Sequence, residues 1–319
     1  MAHKKKQQPN RALLFVNISH FLNHVIMLIY PTVALTLVDV WGVSYGELFK
    51  LFFMASLLYG LAALPAGWLG DCWSSRGMLA VYLFGTGTAT FLTGFANNPM
   101  QISVGLAFTG IFAAIYHPVG TTFVVQHAVD RAKDLGFNGA FGTIGLAAAA
   151  FIAASLTHMF GWRFAFFIPG LACFLLGVFF VLQTHEPVRE IVNEVTGGSE
   201  KIIKKSTIFF ALGLMAITAL SVGLITQAYT SGLPKIFNDT MKEVVAIFTL
   251  DSKGGLTLSS ALVTLVILFG ALGQILGGSL ASKYSPKAVY IGMFILMVPL
   301  ATVASQLDGL SLVIVAAVM

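Results

Sequence analysis

The sequence GWLGDCWSSR, residues 67–76, lies between two long apolar runs and places an acid and a base within one short turn. A degraded copy, GSLASKYSPK, lies 211 positions later at residues 278–287. Glycine, leucine, an aromatic residue, serine and a terminal base occupy the same offsets in both copies. A loop motif that returns at this distance, each time between hydrophobic helices, predicts two halves built on one plan.

The composition is that of a membrane protein. Of the 319 residues, 57% are hydrophobic and 10% are charged, whereas a soluble domain has about 25% charged residues. The mean hydropathy is +0.87. The net charge of +5 is not gathered on a polar domain, and no nucleic-acid motif occurs. Cys72 and Cys173 form no CxxC pair, so neither a zinc site nor a disulfide framework is predicted.

About 20 consecutive apolar residues span a bilayer. On that basis we predict an all-α membrane protein with nine spans and part of a tenth, at residues 12–38, 46–70, 77–96, 100–126, 136–158, 162–183, 207–233, 256–281, 287–305 and 309–319. The first span is too long for the apolar region of a signal peptide, so we expect an uncleaved helix. The last has about ten residues, roughly 15 Å of helix, and cannot cross. We therefore expect the chain to be a fragment.

Two polar stretches interrupt the apolar pattern, and the longer one suggests a division of the chain. Residues 184–206 are of mixed charge and follow six predicted helices. We predict an N-terminal six-helix bundle at 1–183, a cytoplasmic linker at 184–206 and a partial C-terminal helical bundle at 207–319. With the N-terminus inside, 13 of the 18 Lys and Arg residues lie on the inner side. The N-terminus and both motif copies are therefore predicted to be cytoplasmic, in a bacterial inner membrane.

The repeated loop and the six-helix first half resemble the major facilitator superfamily, whose loop pattern is G-x-L-x-D-R-x-G-R-R/K. Four residues of each copy match that pattern, namely Gly67, Leu69, Asp71 and Arg76, then Gly278, Leu280, Lys283 and Lys287. The first copy departs from it at Cys72, Ser74 and Ser75, and the second has Ser282 in place of the acid. The resemblance implies alternating access about a central site. It also implies a cytoplasmic gating role for Gly67, Asp71, Arg76, Gly278, Lys283 and Lys287, the alternative being a solvated loop.

Within the superfamily, two further stretches are similar to fosmidomycin-resistance-like drug exporters. One is SHFLNH at residues 19–24, followed by Tyr30 and Pro31, and the other is the His117-Pro118 pair in the fourth segment. Those exporters tend to have an acid where this chain has His24, and another where it has Val119. The resemblance implies proton-coupled efflux through a cavity lined by the first, fourth, seventh and tenth helices.

The ionisable residues of the chain suggest where such a cavity would bind its substrate. None of the 13 acids falls in the middle of a predicted span, whereas His20, His24 and His117 do. His20 and His24 share one helix face, and a polar stripe there must face the protein interior because lipid cannot satisfy it. Histidine exchanges a proton near neutral pH. We predict substrate binding or proton coupling by Asn17, His20, Asn23, His24, His117 and Gln227.

Two other roles for these histidines remain open. A neutral histidine can simply donate to a backbone carbonyl across a helix interface. Histidines four residues apart can also bind a metal ion, but no third ligand of the Asp, Glu or Cys type is evident at that depth, so no metal is predicted. In the fifth segment, glycines at 136, 139, 142 and 145 indicate close helix packing.

Together these patterns predict a secondary active transporter that moves a small molecule by alternating access, with proton-coupled efflux. The expected partners are a small-molecule substrate, protons and the lipid bilayer, without nucleic acid. No phosphate-binding loop, HExxH pattern or nucleophile elbow occurs. We therefore predict no enzyme activity, no catalytic residues and no cofactor. The alternatives are a truncated or regulatory membrane protein without transport activity, and a uniporter.

Overall fold

The computed structural model describes residues 11–184 and 252–307, with scattered positions between 206 and 221 and between 311 and 315. In this part of the chain all regular structure is helical, which confirms the predicted all-α class. Residues 185–205 of the predicted linker, Gln227 and most of the seventh and tenth predicted spans lie outside the described residues.

The described helices follow the predicted spans closely. They are α1 (Arg11–Trp41), α2 (Tyr45–Cys72), α3 (Ser75–Thr93), α4 (Pro99–Ala113), a π-helical turn (Tyr116–Gly120), α5 (Thr121–His127), α6 (Arg131–Phe160), α7 (Phe164–Gln183), α8 (Ser252–Lys283) and α9 (Pro286–Ala304). The fourth predicted span is thus one rod, Pro99–His127, which contains the π turn between α4 and α5.

Seven stretches within the described residues are long and apolar enough to cross a membrane. They are α1, α2, the rod Pro99–His127, α6, α7, residues Thr264–Lys283 of α8, and α9. Helix α3 has 19 residues but is more polar, because Ser75, Arg76 and four threonines lower its hydropathy. The third predicted span is therefore present as a helix of lower hydropathy than the others.

Side-chain caps explain where several of these helices begin. Ser44 and Glu47 form a capping box at the start of α2. The side chains of Ser74, Asn98 and Asp130 each accept a backbone N–H at the starts of α3, α4 and α6. Helix α6 ends at Gly161, whose φ of +95° is reached easily only without a side chain.

By their contacts the residues form two compact units. The first comprises Met1–Glu186, Thr264–Leu307 and Ser311–Met319, and the second Pro187–Val263 and Asp308–Leu310. Within the first unit, α1 packs mainly on α6, α2 on α4, and α3 on α7 and α4. A core of buried apolar residues, which includes Tyr30, Tyr82, Tyr116 and Phe166, fills the spaces between them.

The two motif copies lie at the same end of the first unit. The turn between α2 and α3 contains the first copy, and Ser75 Oγ donates to Gln126 Oε1 at the end of α5 over 2.8 Å. The turn between α8 and α9 contains the second copy, and Ser282 Oγ donates to Asp130 Oδ2 just before α6. We call this end, formed by residues 71–76, 126–134 and 282–287, the motif end.

Candidate functional site

Three histidine side chains from two elements meet inside the first unit. His20 and His24 lie one turn apart on α1, and His117 lies in the π turn. Their ring centroids are 5.0 Å (His20–His24), 5.3 Å (His20–His117) and 5.5 Å (His24–His117) apart. His20 is buried, His24 is half-buried and His117 is exposed. The prediction that His117 approaches the same space as the α1 pair therefore agrees with the geometry.

The hydrogen bonds of His20 determine its proton positions. Its Nδ1 lies 2.8 Å from the carbonyl oxygen of Asn138 on α6. A carbonyl can only accept, so Nδ1 carries the hydrogen and, in the neutral ring, Nε2 is an acceptor. The Nε2 atom of His24 lies 3.2 Å from Nε2 of His20 and therefore donates to it. The donation by His20 to a backbone carbonyl is the structural role considered above, but the pairing with His24 goes beyond that role.

This arrangement can take up one proton without changing its framework. A proton taken up at Nδ1 of His24 lets the hydrogen on its Nε2 pass to Nε2 of His20, which then donates to His24 Nε2 in the same short contact. The direction of the bond reverses, and the positive charge is shared by two rings. The pair is thus a chemically competent proton acceptor within the membrane-spanning helices.

A polar network holds the buried side of the cluster in place. The Nδ2 atom of Asn138 donates to Asn17 Oδ1 over 2.9 Å and to the Tyr116 hydroxyl over 3.0 Å. That hydroxyl in turn donates to the carbonyl of Val16 over 2.9 Å. Asn17 therefore positions the network rather than facing open space, since only 6% of it is exposed.

Asn23 and Tyr59 form a second polar contact beside the cluster. Asn23 Nδ2 donates to the Tyr59 hydroxyl of α2 over 3.2 Å, and the Tyr59 ring lies 6.2 Å from that of His117. The Tyr59 hydroxyl accepts from Asn23, so its own hydrogen can be donated to another group. Asn23 Oδ1 is buried and has no hydrogen-bond partner. This contact therefore leaves one donor and one acceptor for a polar ligand.

The π turn explains why the His117 ring can join the cluster. Pro118 has no N–H, so the α-helical bond to Ala114 is missing and the backbone widens locally. Threonine hydroxyls also donate to carbonyls of the turn, from Thr121 to His117 O over 2.7 Å and from Thr122 to Pro118 O over 2.8 Å. The His117 ring lies within 5.5 Å of both α1 histidine rings by centroid.

Two glycines of the first motif copy, Gly67 and Gly70, let α2 pack closely against the π turn. A Cβ on Gly67 would lie 3.3 Å from Pro118 Cβ, and one on Gly70 would lie 2.9 Å from Val119 Cγ2. Val119, which stands where the resembling exporters have an acid, is 2% exposed. The Val119 side chain therefore fills an apolar contact with α2, and a charged side chain there would be costly.

The acids of the described helices all lie at helix ends, as the sequence predicts. They are Asp39, Glu47, Asp71, Asp130 and Asp134. Asp134 is the nearest of them along the chain to a network residue, and its Oδ2 accepts the backbone N–H groups of Val129 and Asp130. In the described part of the chain no carboxylate joins the histidine cluster.

The three histidines also satisfy a distance condition for a metal site, since one nitrogen from each ring lies within 4.8 Å of the others. However, the Nε2 atoms of His20 and His24 already face each other in a hydrogen bond. We treat the cluster as a hydrogen-bonded proton and ligand site and do not assign the rings as metal ligands.

At the motif end, the predicted gating residues have different surroundings. Arg76 donates from Nε to Thr184 O over 3.0 Å and from Nη2 to Val181 O over 2.7 Å, so it caps the C-terminus of α7. Asp71 is exposed in the last turn of α2 and borders a small crevice with Gly67, Gly70 and Val119. Lys283 and Lys287 are exposed at the end of α8 and the start of α9.

The closest contact between the second motif copy and the first half of the chain involves Asp130 and Ser282. Asp130 Oδ2 accepts from Ser282 Oγ and lies 3.1 Å from Lys133 Nζ. The bond from Ser282 and, after it, the bond from Lys133 lower the pKa of the Asp130 carboxyl to about 2. The acid that the second motif copy lacks is thus provided by the start of α6.

Small residues allow α6 and α8 to pack closely behind this contact. A Cβ on Gly278 would lie 2.7 Å from Ala132 O and 2.9 Å from Gly136 Cα. Gly139 lies equally close to the Gln274 side chain. On the other face of α6, Gly142 adjoins the His20 ring and Gly145 adjoins the Phe21 backbone. The predicted close packing by the four glycines is confirmed.

A separate cavity lies away from the histidine cluster. It has a volume of about 830 Å³ between α3 and α4 and is lined mainly by Phe84, Leu92, Phe95, Val104, Phe108 and Phe112. No ionisable side chain lines this cavity. We therefore place the candidate site at the histidine cluster, where polar and titratable groups converge.

Sequence analysis did not single out three residues of this site, namely Tyr59, Tyr116 and Asn138. Asn138 lies in a stretch that was interpreted only for its glycines, although it is the one amide side chain of α6. Tyr116 adjoins His117, and Tyr59 lies at mid-length of α2. An isolated amide or phenol in an apolar span is the signal that could have identified them.

Residues 13–319 match the family model described as the Major Facilitator Superfamily. The chain belongs to the Major Facilitator Superfamily. Membership confirms the predicted family and the integral membrane location, and it agrees with the prediction of a transporter and not an enzyme. The finer likeness to fosmidomycin-resistance-like exporters stays a prediction.

Individual relatives within the superfamily carry different solutes. The chain is 31% identical over 135 residues to the D-galactonate transporter of Escherichia coli O6:H1, covering 41% of this chain and 31% of that protein. It is 24% identical over 287 residues to the 4-hydroxybenzoate transporter PcaK of Pseudomonas putida, covering 81% and 62% respectively. The matches thus take up about a third to two thirds of these relatives' own lengths.

Solved structures show the same fold. The chain aligns with an inward-facing bacterial homologue of the human lysosomal transporter Spinster at a TM-score of 0.65 and 16% identity, covering 98% of this chain and 73% of that one. It aligns with the proton:xylose symporter XylE at a TM-score of 0.63 and 16% identity, covering 96% and 78%. At this identity the likeness concerns the fold.

Proposed function

We propose that this protein is a secondary active transporter that moves a small polar organic molecule by alternating access, coupled to protons and in the direction of efflux. The observation that carries the proposal is a three-histidine cluster inside a superfamily fold, which no carboxylate of the described residues joins. Proton coupling is supported by the His20–His24 pair, whose shared contact accepts a proton by reversing one hydrogen bond. Efflux is supported by the likeness of residues 19–24 and His117-Pro118 to drug exporters.

Within this proposal the site residues have distinct roles. His20 and His24 exchange the proton, and His117, the exposed ring, contacts the substrate together with Tyr59 and Asn23. Asn17 positions the network through Asn138. Gln227, on the seventh predicted span, is proposed as a further substrate contact.

The motif end is proposed as the cytoplasmic gate, with the N-terminus cytoplasmic and the linker 184–206 joining two bundles in a bacterial inner membrane. Gly278 and the Asp130–Ser282 bond bring α8 against α6, and Asp71, Lys283 and Lys287 are exposed where further contacts can form. Gly67 and Arg76 hold the first half of the gate by packing on the π turn and capping α7.

The purified protein in proteoliposomes tests this function. We would supply D-galactonate, 4-hydroxybenzoate, benzoate and xylose in turn, which are solutes named for relatives, and record solute flux and internal pH together. The expected result is solute flux in a fixed ratio to proton movement. His24→Gln should abolish the proton movement, because the remaining ring has no partner with which to share the charge.

The control is His158→Gln, at the far end of α6 from the motif end. It should leave flux and coupling unchanged. Solute flux with no proton movement would support the uniporter alternative, and no flux of any solute would support a membrane protein without transport activity.

A further inference from the structure

Among the described residues, the histidine cluster contains groups that can become positive but no group that can neutralise them. His20 and His24 share one hydrogen bond, and His117 lies at 5.3 Å and 5.5 Å from them by ring centroid. The titratable groups that face the cluster from neighbouring elements are phenols, namely Tyr59 on α2, Tyr116 in the π turn and, in contact with Tyr116, Tyr82 on α3. Phenols ordinarily titrate near pH 10 and stay neutral here.

The nearest described carboxylates cannot serve as counter-ions. Glu47 and Asp71 each lie 12 residues from Tyr59 on α2, which is about 18 Å along a helix. Asp39 lies 15 residues beyond His24. The Asp134 carboxylate accepts hydrogen bonds from the backbone N–H groups of Val129 and Asp130 at the start of α6. A proton on the cluster is therefore an uncompensated charge among apolar helices, and such a charge is costly.

The donors that remain around the cluster outnumber the one unpartnered acceptor, Asn23 Oδ1, and favour a ligand that carries several acceptor oxygens. The Tyr59 hydroxyl already accepts from Asn23, so it offers its hydrogen. In the protonated His20–His24 pair, Nδ1 of His24 is a donor, because its Nε2 accepts from His20. His117 is exposed and can turn a ring N–H toward the same place. Imidazolium and phenol donors together match the oxygens of a carboxylate.

We propose that the substrate of this site is an organic anion bearing a carboxylate, and that it binds together with one proton. The anion supplies the negative charge that the described helices lack, and the proton on the His20–His24 pair supplies the charge that the anion needs. Each therefore raises the affinity for the other. The pair moves without net charge, and efflux follows when the outward gradient of the anion exceeds the opposing gradient of protons. This inference rests on the proposed transport function and names its substrate class.

Matched pairs of probes test the charge requirement directly. Benzoate would be compared with benzamide, and D-galactonate with D-galactose, by binding to the purified protein and by counterflow in proteoliposomes. Uptake of protons from a weakly buffered solution would be recorded as each probe is added. We expect carboxylates to bind with uptake of one proton or less per protein, and their neutral partners to bind at least about tenfold more weakly.

The pH dependence has a definite sign. A bound proton strengthens anion binding, so the dissociation constant should rise by up to about tenfold per pH unit above the pH at which the free cluster loses its proton. His117→Gln, at an exposed position, should weaken carboxylate binding without changing the thermal stability. His24→Gln should remove both the proton uptake and the pH dependence. His158→Gln is the matched control and should bind like the wild-type protein.

The outcomes separate this inference from the function on which it rests. Transport of xylose or D-galactose with no response to carboxylates would overturn the anion proposal and leave the transport function standing. Carboxylate binding without proton uptake would also overturn it. Absence of binding and flux with every probe would overturn both.

Discussion

Gly142 shows how a single small residue determines the geometry of the candidate site. A Cβ added at this position would lie 2.5 Å from Nε2 of the His20 ring. His20 cannot give way easily, because its Nδ1 is bonded to Asn138 O on the same helix as Gly142. The shared proton site therefore depends on the absence of one methyl group.

We expect Gly142→Ala to displace the His20 ring and destabilise the protein by about 1–3 kcal/mol, the usual cost of overpacking a buried contact. Thermal unfolding in detergent measures the loss, and proton uptake on ligand binding should fall with it. Gly292→Ala on α9 is the control, since nothing lies within 4 Å of the added Cβ. A normal unfolding temperature and normal proton uptake in Gly142→Ala would contradict this account.

At the scale of helices, the α6–α8 contact depends on two facing glycines. Gly136 and Gly278 bring the backbones together, and Thr264 Oγ1 donates to Ala147 O over 3.1 Å further along the pair. Close packing of this kind has few intermediate positions, so the two helices are either in contact or separated. The second motif copy begins within α8 and therefore moves together with that helix.

We expect Gly278→Ala to separate α8 from α6 at the motif end, because the new Cβ would lie 2.7 Å from Ala132 O. Spin labels on cysteines introduced at Arg131 and Lys287, both exposed, would show a longer distance by double electron–electron resonance. The labelling uses a Cys72→Ser background, since Cys72 is exposed and Cys173 is buried.

Gly277→Ala is a matched control one residue away, where the added Cβ meets Met293 Cε at an ordinary 3.6 Å. Its distance distribution should equal that of the parent protein. If both variants gave the same distribution, glycine packing would not control this contact.

At the scale of the whole molecule, the gate and the proton site should respond differently to pH. The bonds from Ser282 and Lys133 hold the pKa of Asp130 at about 2, below its ordinary value of 3.8. A lowered pKa means that the stabilisation is present above the ordinary value and is lost only as the pH falls toward 2. Asp130 therefore remains charged throughout the physiological range.

We expect Ser282→Ala to favour separation of the motif end by the same amount at pH 5.5 and pH 7.5. The measurement is the difference between variant and parent in the Arg131–Lys287 distance distribution at each pH, so that any effect of the histidine cluster cancels. An effect of Ser282→Ala that appears only at the higher pH would show that Asp130 titrates in this range.

Periodicity and composition predicted much of this molecule. Apolar length predicted where the described helices lie, and the position of the described acids at helix ends followed from the same pattern. The repeated loop identified the superfamily. His20 and His24 were paired correctly because four residues make one helical turn, and that geometry is local.

The tertiary structure decided what the local pattern could not contain. His117 lies beside His20, from which it is separated by 97 positions of sequence, and Asn138 orients His20 across 118 positions. Asp130 accepts a hydrogen bond from Ser282, across 152 positions, and supplies the acid that the second motif copy lacks. Helical periodicity specifies which residues share a face, but not which helix packs on that face. That choice depends on the close fit of glycines and large side chains over many contacts, and it brings separate polar residues into one site.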